Sequence, residues 1–230
     1  MGKAIDNLRA GKAPRGPRPT RGKVKARLLT EAIRLFAAGG YDGVSVDEIV
    51  QAAEVNKRMV YHYFGNKEGI YRAALGYVFF ELQKQESERI ASYGGGKADP
   101  EEGMRILVGL YFTFLDSHPE FVRLLLWENL GQGRHLAQVE VGMSKSPILG
   151  HVKTLLQEGV AQGVFRPGLD ARLVLTSLIG LSLIYHSNRF TLLRSVGMDF
   201  NKPGNMVCAA EHAAIIFLSG LRADAAAVDR

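Results

Sequence analysis

The sequence predicts an all-α protein in two parts: a small N-terminal three-helix unit of the helix-turn-helix kind, then a larger helical body. Three observations carry this prediction. From Leu28 onward apolar residues recur at the spacing of one helical face, and no segment alternates as a half-buried strand would. Gly and Pro fall at the ends of these periodic runs, where helices stop and start. The charge is also uneven: residues 1–75 hold 14 basic and 7 acidic residues, whereas residues 76–230 hold 15 and 16. The two parts therefore face different partners.

Taken in order, residues 1–22 contain Pro14, Pro17 and Pro19 with almost no large apolar side chain, which predicts a flexible basic arm. Residues 23–66 form the next unit. Leu28, Leu29, Ala32, Ile33, Phe36 and Ala37 mark a first helix ended by Gly39 and Gly40. Ser45-Val46-Asp47-Glu48 has the Ser-x-x-Glu form of a capping box and opens a second helix, to about Ala53. After a turn through Glu54 and Val55, Asn56 is suited to cap a third helix running to Phe64. Residues 67–230 form the body. Its first helix runs from Lys67 to about Ser92, and further helices are expected at about 101–117, 119–130, 134–144, 147–162, 170–189 and 204–222.

Two short helices joined by a tight turn hold the second one so that its outer face can enter the major groove of DNA. Ile49, Ala53, Val55, Val60 and Phe64 are placed to form a small core, which leaves Lys57, Arg58, Tyr61 and His62 outside. Arg15, Arg18, Arg21, Lys23, Lys25 and Arg27 precede or open the first helix, with no acid between Asp6 and Glu31. Such a run can follow the phosphate backbone or serve only solubility; its arginines lack the interleaved apolar residues of a membrane-inserting helix.

Residues 40–71, G-Y-D-G-V-S-V-D-E-I-V-Q-A-A-E-V-N-K-R-M-V-Y-H-Y-F-G-N-K-E-G-I-Y, resemble the DNA-binding domain of the TetR family. The resemblance implies that Ser45, Tyr61 and Lys67 hold phosphates and that Lys57, Arg58, Met59 and His62 lie nearest the bases. With Arg21, Lys23 and Asn56, these make up the expected set for double-stranded DNA. Glu54 departs from the family, which commonly has Gly there, and Val44 stands where a hydroxyl residue is frequent.

The body is nearly neutral and far larger than DNA binding requires. The stretches 118–136 and 181–200 resemble the C-terminal domain of the subgroup containing the pyrimidine-utilisation repressor, which implies an internal cavity and a small-molecule effector. Polar groups on otherwise apolar helices need partners that a ligand can supply. Trp127, Glu128, Asn129, Tyr185, His186 and Asn188 are the effector-binding expectations on that ground. Three of them have a structural alternative: Trp127 as a core anchor, Glu128 in an ion pair with Arg105 or Arg123, His186 as a satisfied interfacial histidine. Tyr111, Phe112 and Phe114 read as core or cavity wall. By the same resemblance the last two helices pair with their twofold mates. Leu178, Leu181, Ile184 and Ile216, with Gly180 and Gly220 permitting close approach, are the expected homodimer contacts.

Other classes find little support. Cys208 is the one cysteine, and the six histidines lack a metal-ligand spacing, so no metal or other cofactor is expected. No Ser/His/Asp set, Gly-rich phosphate loop or paired carboxylates suggest an enzyme. The first 22 residues lack a signal-peptide core, and the apolar stretch Leu173 to Tyr185 is too short to cross a membrane, so a cytoplasmic protein with no membrane partner is expected. The expectation is a palindrome-binding, effector-released repressor, with an architectural DNA binder lacking an effector as the alternative.

Overall fold

A computed structural model describes residues 21–93, 99–139 and 147–223. Among these residues it contains ten α-helices: α1 (Arg21–Gly39), α2 (Val46–Ala52), α3 (Arg58–Phe64), α4 (Lys67–Tyr93), α5 (Pro100–Ser117), α6 (Pro119–Leu130), α7 (Pro147–Ala161), α8 (Ala171–Ser187), α9 (Arg189–Val196) and α10 (Pro203–Leu221). The arm as far as residue 20 lies outside the described residues, and so does the side chain of Arg21.

The head is built around the inner face of α1. Leu28, Ala32 and Phe36, one turn apart, are fully buried against Ile49 of α2, Val60 of α3 and Ile70, Tyr71 and Ala74 of α4. Packing does not part at residue 66: Phe114 of α5 and Phe121, Val122 and Leu124 of α6 belong to the same apolar cluster. The second cluster, in the body, gathers Met104, Leu107 and Phe112 of α5, Val152 and Leu155 of α7, Leu178 of α8 and Ala213 and Phe217 of α10. The end of α10 is tied down by the segment after α7, where the Arg166 N–H donates to the Leu221 carbonyl (2.9 Å) and the Ala223 N–H to the Val164 carbonyl (3.0 Å). By length and composition α10 could cross a membrane, but Met206, Ala209, Ala213, Phe217 and Leu218 bury one side of it in this core.

Two helix expectations need correction. The helix expected at about 134–144 is present among the described residues only as a short 3-10 turn, Leu136–Gln138, with residues 140–146 outside them. Gln132 and Gly133 both take left-handed φ angles, +59° and +70°, which turn the chain after α6. Conversely, α9 lies between the helices expected at about 170–189 and 204–222, where none is expected. None of its residues is buried, so it has no core-facing stripe from which its period could be recognised.

Candidate functional site

The recognition unit is assembled by local hydrogen bonds. Ser45 Oγ accepts from the Glu48 N–H (3.2 Å) while Glu48 Oε2 accepts from the Ser45 N–H (2.7 Å), completing the capping box of α2. These bonds hold the Glu48 carboxyl below the usual carboxylate range. In the turn, Glu54 adopts φ +50°, a conformation that a residue with a Cβ enters at a cost, which explains why glycine is common at this place in the family. Arg27 Nη2 donates to Glu54 Oε2 at 3.0 Å across to α1. Asn56 Oδ1 accepts from the Arg58 N–H at 2.9 Å, capping α3 although regular helical geometry begins one residue later than expected.

Along α3, Val60 is buried in the head core and Met59, Tyr63 and Phe64 are half-buried around it. Arg58, Tyr61 and His62, spaced at i, i+3 and i+4, form the exposed stripe. Lys57 is also exposed, but its Nζ lies 2.8 Å from Asp47 Oδ1 of α2, so that cation already has an acidic partner. Lys67, at the start of α4, is half-buried with its Nζ 4.5 Å from the centre of the Tyr41 ring. Ser45 and Lys23 are exposed.

Head and body meet at α6. Trp127 Nε1 donates to the Ala37 carbonyl at 3.3 Å, and its indole covers Gly40, whose φ is +70° and where a Cβ would stand 2.9 Å from the ring. Next to it, Glu128 is 3% exposed. Its carboxylate accepts from the Tyr71 hydroxyl (3.0 Å) and from the N–H groups of His135 (3.2 Å) and Leu136 (2.9 Å), and His135 Nδ1 is 3.1 Å away. Burial, then the Glu128 hydrogen bond and charge, push the Tyr71 phenol up, so it stays a donor. One carboxylate thus ties α4, α6 and the segment after α6 together. These partners replace the alternative pairing with Arg105, which lies instead against Glu101 and Glu102 (3.5 and 3.6 Å).

A cavity of about 270 Å³ lies between α4, α5, α6, α7 and α8. Its walls are apolar, including Phe79, Leu115, Phe121, Ile148 and Ile179, except for Gln83 and Glu86 of α4 and Tyr111 of α5. The Tyr111 hydroxyl donates to Glu86 Oε1 at 2.6 Å, and burial together with the Glu86 charge pushes this phenol up as well. Tyr111 was expected as core or wall; Glu86 and Gln83 were missed. A signal was available, because Phe79, Leu82, Glu86 and Ile90 place an acid in the middle of an apolar stripe on α4.

None of the six residues expected to bind an effector borders this cavity. Trp127 and Glu128 line the head–body cleft, and Asn129 is exposed with its Nδ2 donating to the Leu125 carbonyl (2.8 Å). Tyr185 is half-buried between Phe112 and Phe200, with ring centres 5.6 and 5.1 Å away. His186 is buried, with Nδ1 2.9 Å from the Ser182 carbonyl and no hydrogen-bond partner for Nε2 among the described residues. Asn188 precedes α9 and accepts from the Ser187 hydroxyl (2.7 Å). Of the residues expected at a dimer contact, Leu178 is buried in the chain's own core and Leu181 is half-buried. Gly180, Ile184, Ile216 and Gly220 are exposed, close in sequence to the exposed Leu173 and Ile215.

The chain is similar to known proteins in sequence and in fold. Residues 28–74 match the family model of bacterial regulatory proteins of the tetR family, and residues 100–215 match that of a tetracyclin repressor-like C-terminal domain. The chain is 29% identical over 178 residues to the HTH-type transcriptional repressor NicS of Pseudomonas putida, covering 77% of this chain and 82% of that protein. It is 27% identical over 173 residues to the HTH-type transcriptional repressor SCO4008 of Streptomyces coelicolor, covering 74% and 80%. Its fold is similar to that of the transcriptional regulator FadR from Bacillus subtilis, solved in complex with stearoyl-CoA, with a TM-score of 0.63 at 21% identity over 86% of this chain and 100% of that one. With its DNA-binding head and its helical body both matched, the chain belongs to the TetR family of DNA-binding transcription regulators.

Proposed function

We propose that the protein is a cytoplasmic repressor that holds a near-palindromic operator as a homodimer and releases it when a small molecule enters the cavity between α4 and α8. One observation carries this reading. The N-terminal end of α4 packs in the head through Ile70 and Tyr71, while its middle contributes Phe79, Leu82, Gln83 and Glu86 to the cavity wall. A ligand there touches the element on which the head rests, and it can weaken DNA binding only by favouring a different spacing of the heads. The cavity also favours this reading over an architectural DNA binder with a solid body.

In this scheme Arg58 and His62 read base edges, with Met59 beside them. Ser45, Tyr61 and Lys67 hold phosphates with Asn56 supporting the helix start, and Lys23 and Arg21 extend the contact toward the arm. Lys57 joins the readout by exchanging Asp47 for DNA. The outward apolar residues of α8 and α10 pair across the twofold axis, where they lose contact with water. The ligand carried by FadR supports a small-molecule effector in general, and the small volume here argues against copying a ligand of that size.

The test is selection of bound DNA from random sequence, followed by footprinting and anisotropy titration. Two half-sites about one or more helical turns apart are expected. Arg58→Ala and His62→Ala should relax base preference, each by about 1–3 kcal/mol of discrimination, while Lys67→Ala weakens all sequences alike. Full-affinity binding to an isolated half-site would sink the dimer reading, and unaltered preference in both α3 variants would remove those residues from base reading.

A further inference from the structure

The cavity is a gap between two apolar clusters. Phe79, Leu115 and Phe121 on its wall belong to the cluster built around α1, and Ile148, Leu175 and Ile179 belong to that of the body. Leu82 of α4 packs against both. Protein interiors are otherwise packed as densely as organic crystals, so side chains that border a gap forgo dispersion contacts with whatever would stand there. The polar groups of the wall give a ligand no reason to carry charge: the Tyr111 hydroxyl is bonded to Glu86, and Gln83 is a neutral amide. The rest of the wall is hydrocarbon, where an ion would lose its hydration without replacement. An apolar cavity of about 150 Å³ takes a benzene ring. At about 270 Å³ this one has room for a ring with a short alkyl chain.

We infer that the cavity takes a compact, uncharged, mainly hydrocarbon molecule that joins the two clusters, and that a large side chain built into the gap acts in the ligand's place. This deepens the proposed reading of the cavity as the effector site and rests on it. The bound molecule restores the missing contacts and removes its own apolar surface from water, so affinity grows with hydrocarbon content until the gap is full. Phe79 and Leu82 on the wall share α4 with Ile70 and Tyr71 in the head, so filling the gap bears on the element that carries the head. A side chain that occupies the same space imposes the same packing and favours the same state.

The test is titration calorimetry on the full chain with toluene, ethylbenzene, propylbenzene and butylbenzene, and with 4-phenylbutanoate and 4-phenylbutylamine as charged counterparts of the last. Each added methylene should tighten binding about fourfold, and either charged end should weaken it about tenfold or more relative to butylbenzene. Ile179→Trp, which fills the gap, should abolish binding of the series. By anisotropy, both butylbenzene on the unaltered chain and Ile179→Trp without ligand should weaken binding to the selected operator by roughly 5–150-fold, the usual span of coupling between sites. Should Ile179→Trp fail to fold, Leu175→Phe fills less of the space and should lower ligand and operator affinity in the same directions. A charged member that binds as tightly as butylbenzene overturns the ligand class. No binding by any member, or binding unchanged in the variants, overturns the inference altogether. Operator release by butylbenzene with full operator affinity in the variants overturns the side chain as a substitute for the ligand. Hydrocarbon binding that is lost in Ile179→Trp, while neither ligand nor substitution alters operator affinity, leaves the ligand class standing and overturns the effector reading.

Discussion

Glu128 and Glu86 are each 3% exposed, and each accepts a hydrogen bond from a tyrosine hydroxyl, Tyr71 in one case and Tyr111 in the other. Their surroundings differ. The oxygens of Glu128 are surrounded by donors of its own chain, two of them backbone N–H groups, and the result is a closed joint between α4, α6 and the segment after α6. Glu86 borders open space walled by Phe, Leu and Ile. Burying a carboxylate is tolerable where hydrogen bonds replace its hydration, and in the joint those bonds fix geometry. Glu86 instead accepts from Tyr111 on the wall of the cavity.

The strongest way to break this contrast is to remove both acids. Glu128→Ala leaves the Tyr71 hydroxyl and two backbone N–H groups without an acceptor and should cost about 3 kcal/mol or more of stability in urea unfolding. Glu86→Gln keeps an amide oxygen that can still accept from Tyr111 and should cost less than Glu128→Ala. Equal losses would mean that both acids are structural.

Volume gives a second comparison. Gly40→Ala forces a methyl group against Trp127 at a left-handed φ and should cost about 1–3 kcal/mol, with a shift in the emission of the lone tryptophan. Leu175→Phe, which adds atoms next to open space in the cavity, should cost under about 1 kcal/mol. A larger loss for Leu175→Phe than for Gly40→Ala would mean that the cavity is the more tightly packed of the two.

A third buried polar group sharpens the comparison by its pH dependence. Burial holds His186 below its usual pKa, the Ser182 carbonyl opposes this, and Arg189 adds to it. Below about pH 6.5 the unfolded chain therefore takes up a proton that the folded chain resists. The stability contributed by neutral His186 is present above that pH and lost as pH falls below it, by at most about 1.4 kcal/mol per pH unit. His186→Gln should flatten the acid limb of the stability–pH profile, and an unchanged limb would contradict the assignment. The smallest effect is expected at Glu54→Gly. Relief of the left-handed backbone should gain about 0.5–1 kcal/mol, and the exposed pair with Arg27 subtracts little. Thermal unfolding with no gain would show that the Glu54 backbone is not strained.

The head was legible in the sequence because its determinants are local. Ser45 and Glu48 are three residues apart, Asn56 and Arg58 two, and the buried positions of α1 repeat at one turn. The family's glycine position was legible even through its exception, since Glu54 takes the backbone conformation a glycine would have taken. The body was legible as helices but not as a site. Glu128 finds Tyr71, a residue 57 positions away, and nothing in their spacing announces that pairing. A cavity is harder still: Phe79, Tyr111, Phe121, Ile148 and Ile179 lie on five helices whose apolar faces look alike whether they close on one another or leave a gap. Polarity on an apolar helix was a sound criterion, but at Trp127 and Glu128 the protein had already supplied the partners.

The 27 residues of α4 form a rod with its load at one end and its point of touch near the other. Lys67 and Glu86 are 19 positions apart, about 28 Å at 1.5 Å per residue. Pivoting such a rod by about 4° at Glu86 carries its tip through roughly 2 Å, a displacement comparable with the difference between a made and a broken hydrogen bond. An adjustment of side-chain size within a small cavity is therefore geometrically sufficient to carry the Lys67 end of α4 through the reach of a hydrogen bond, without bending or unfolding any helix.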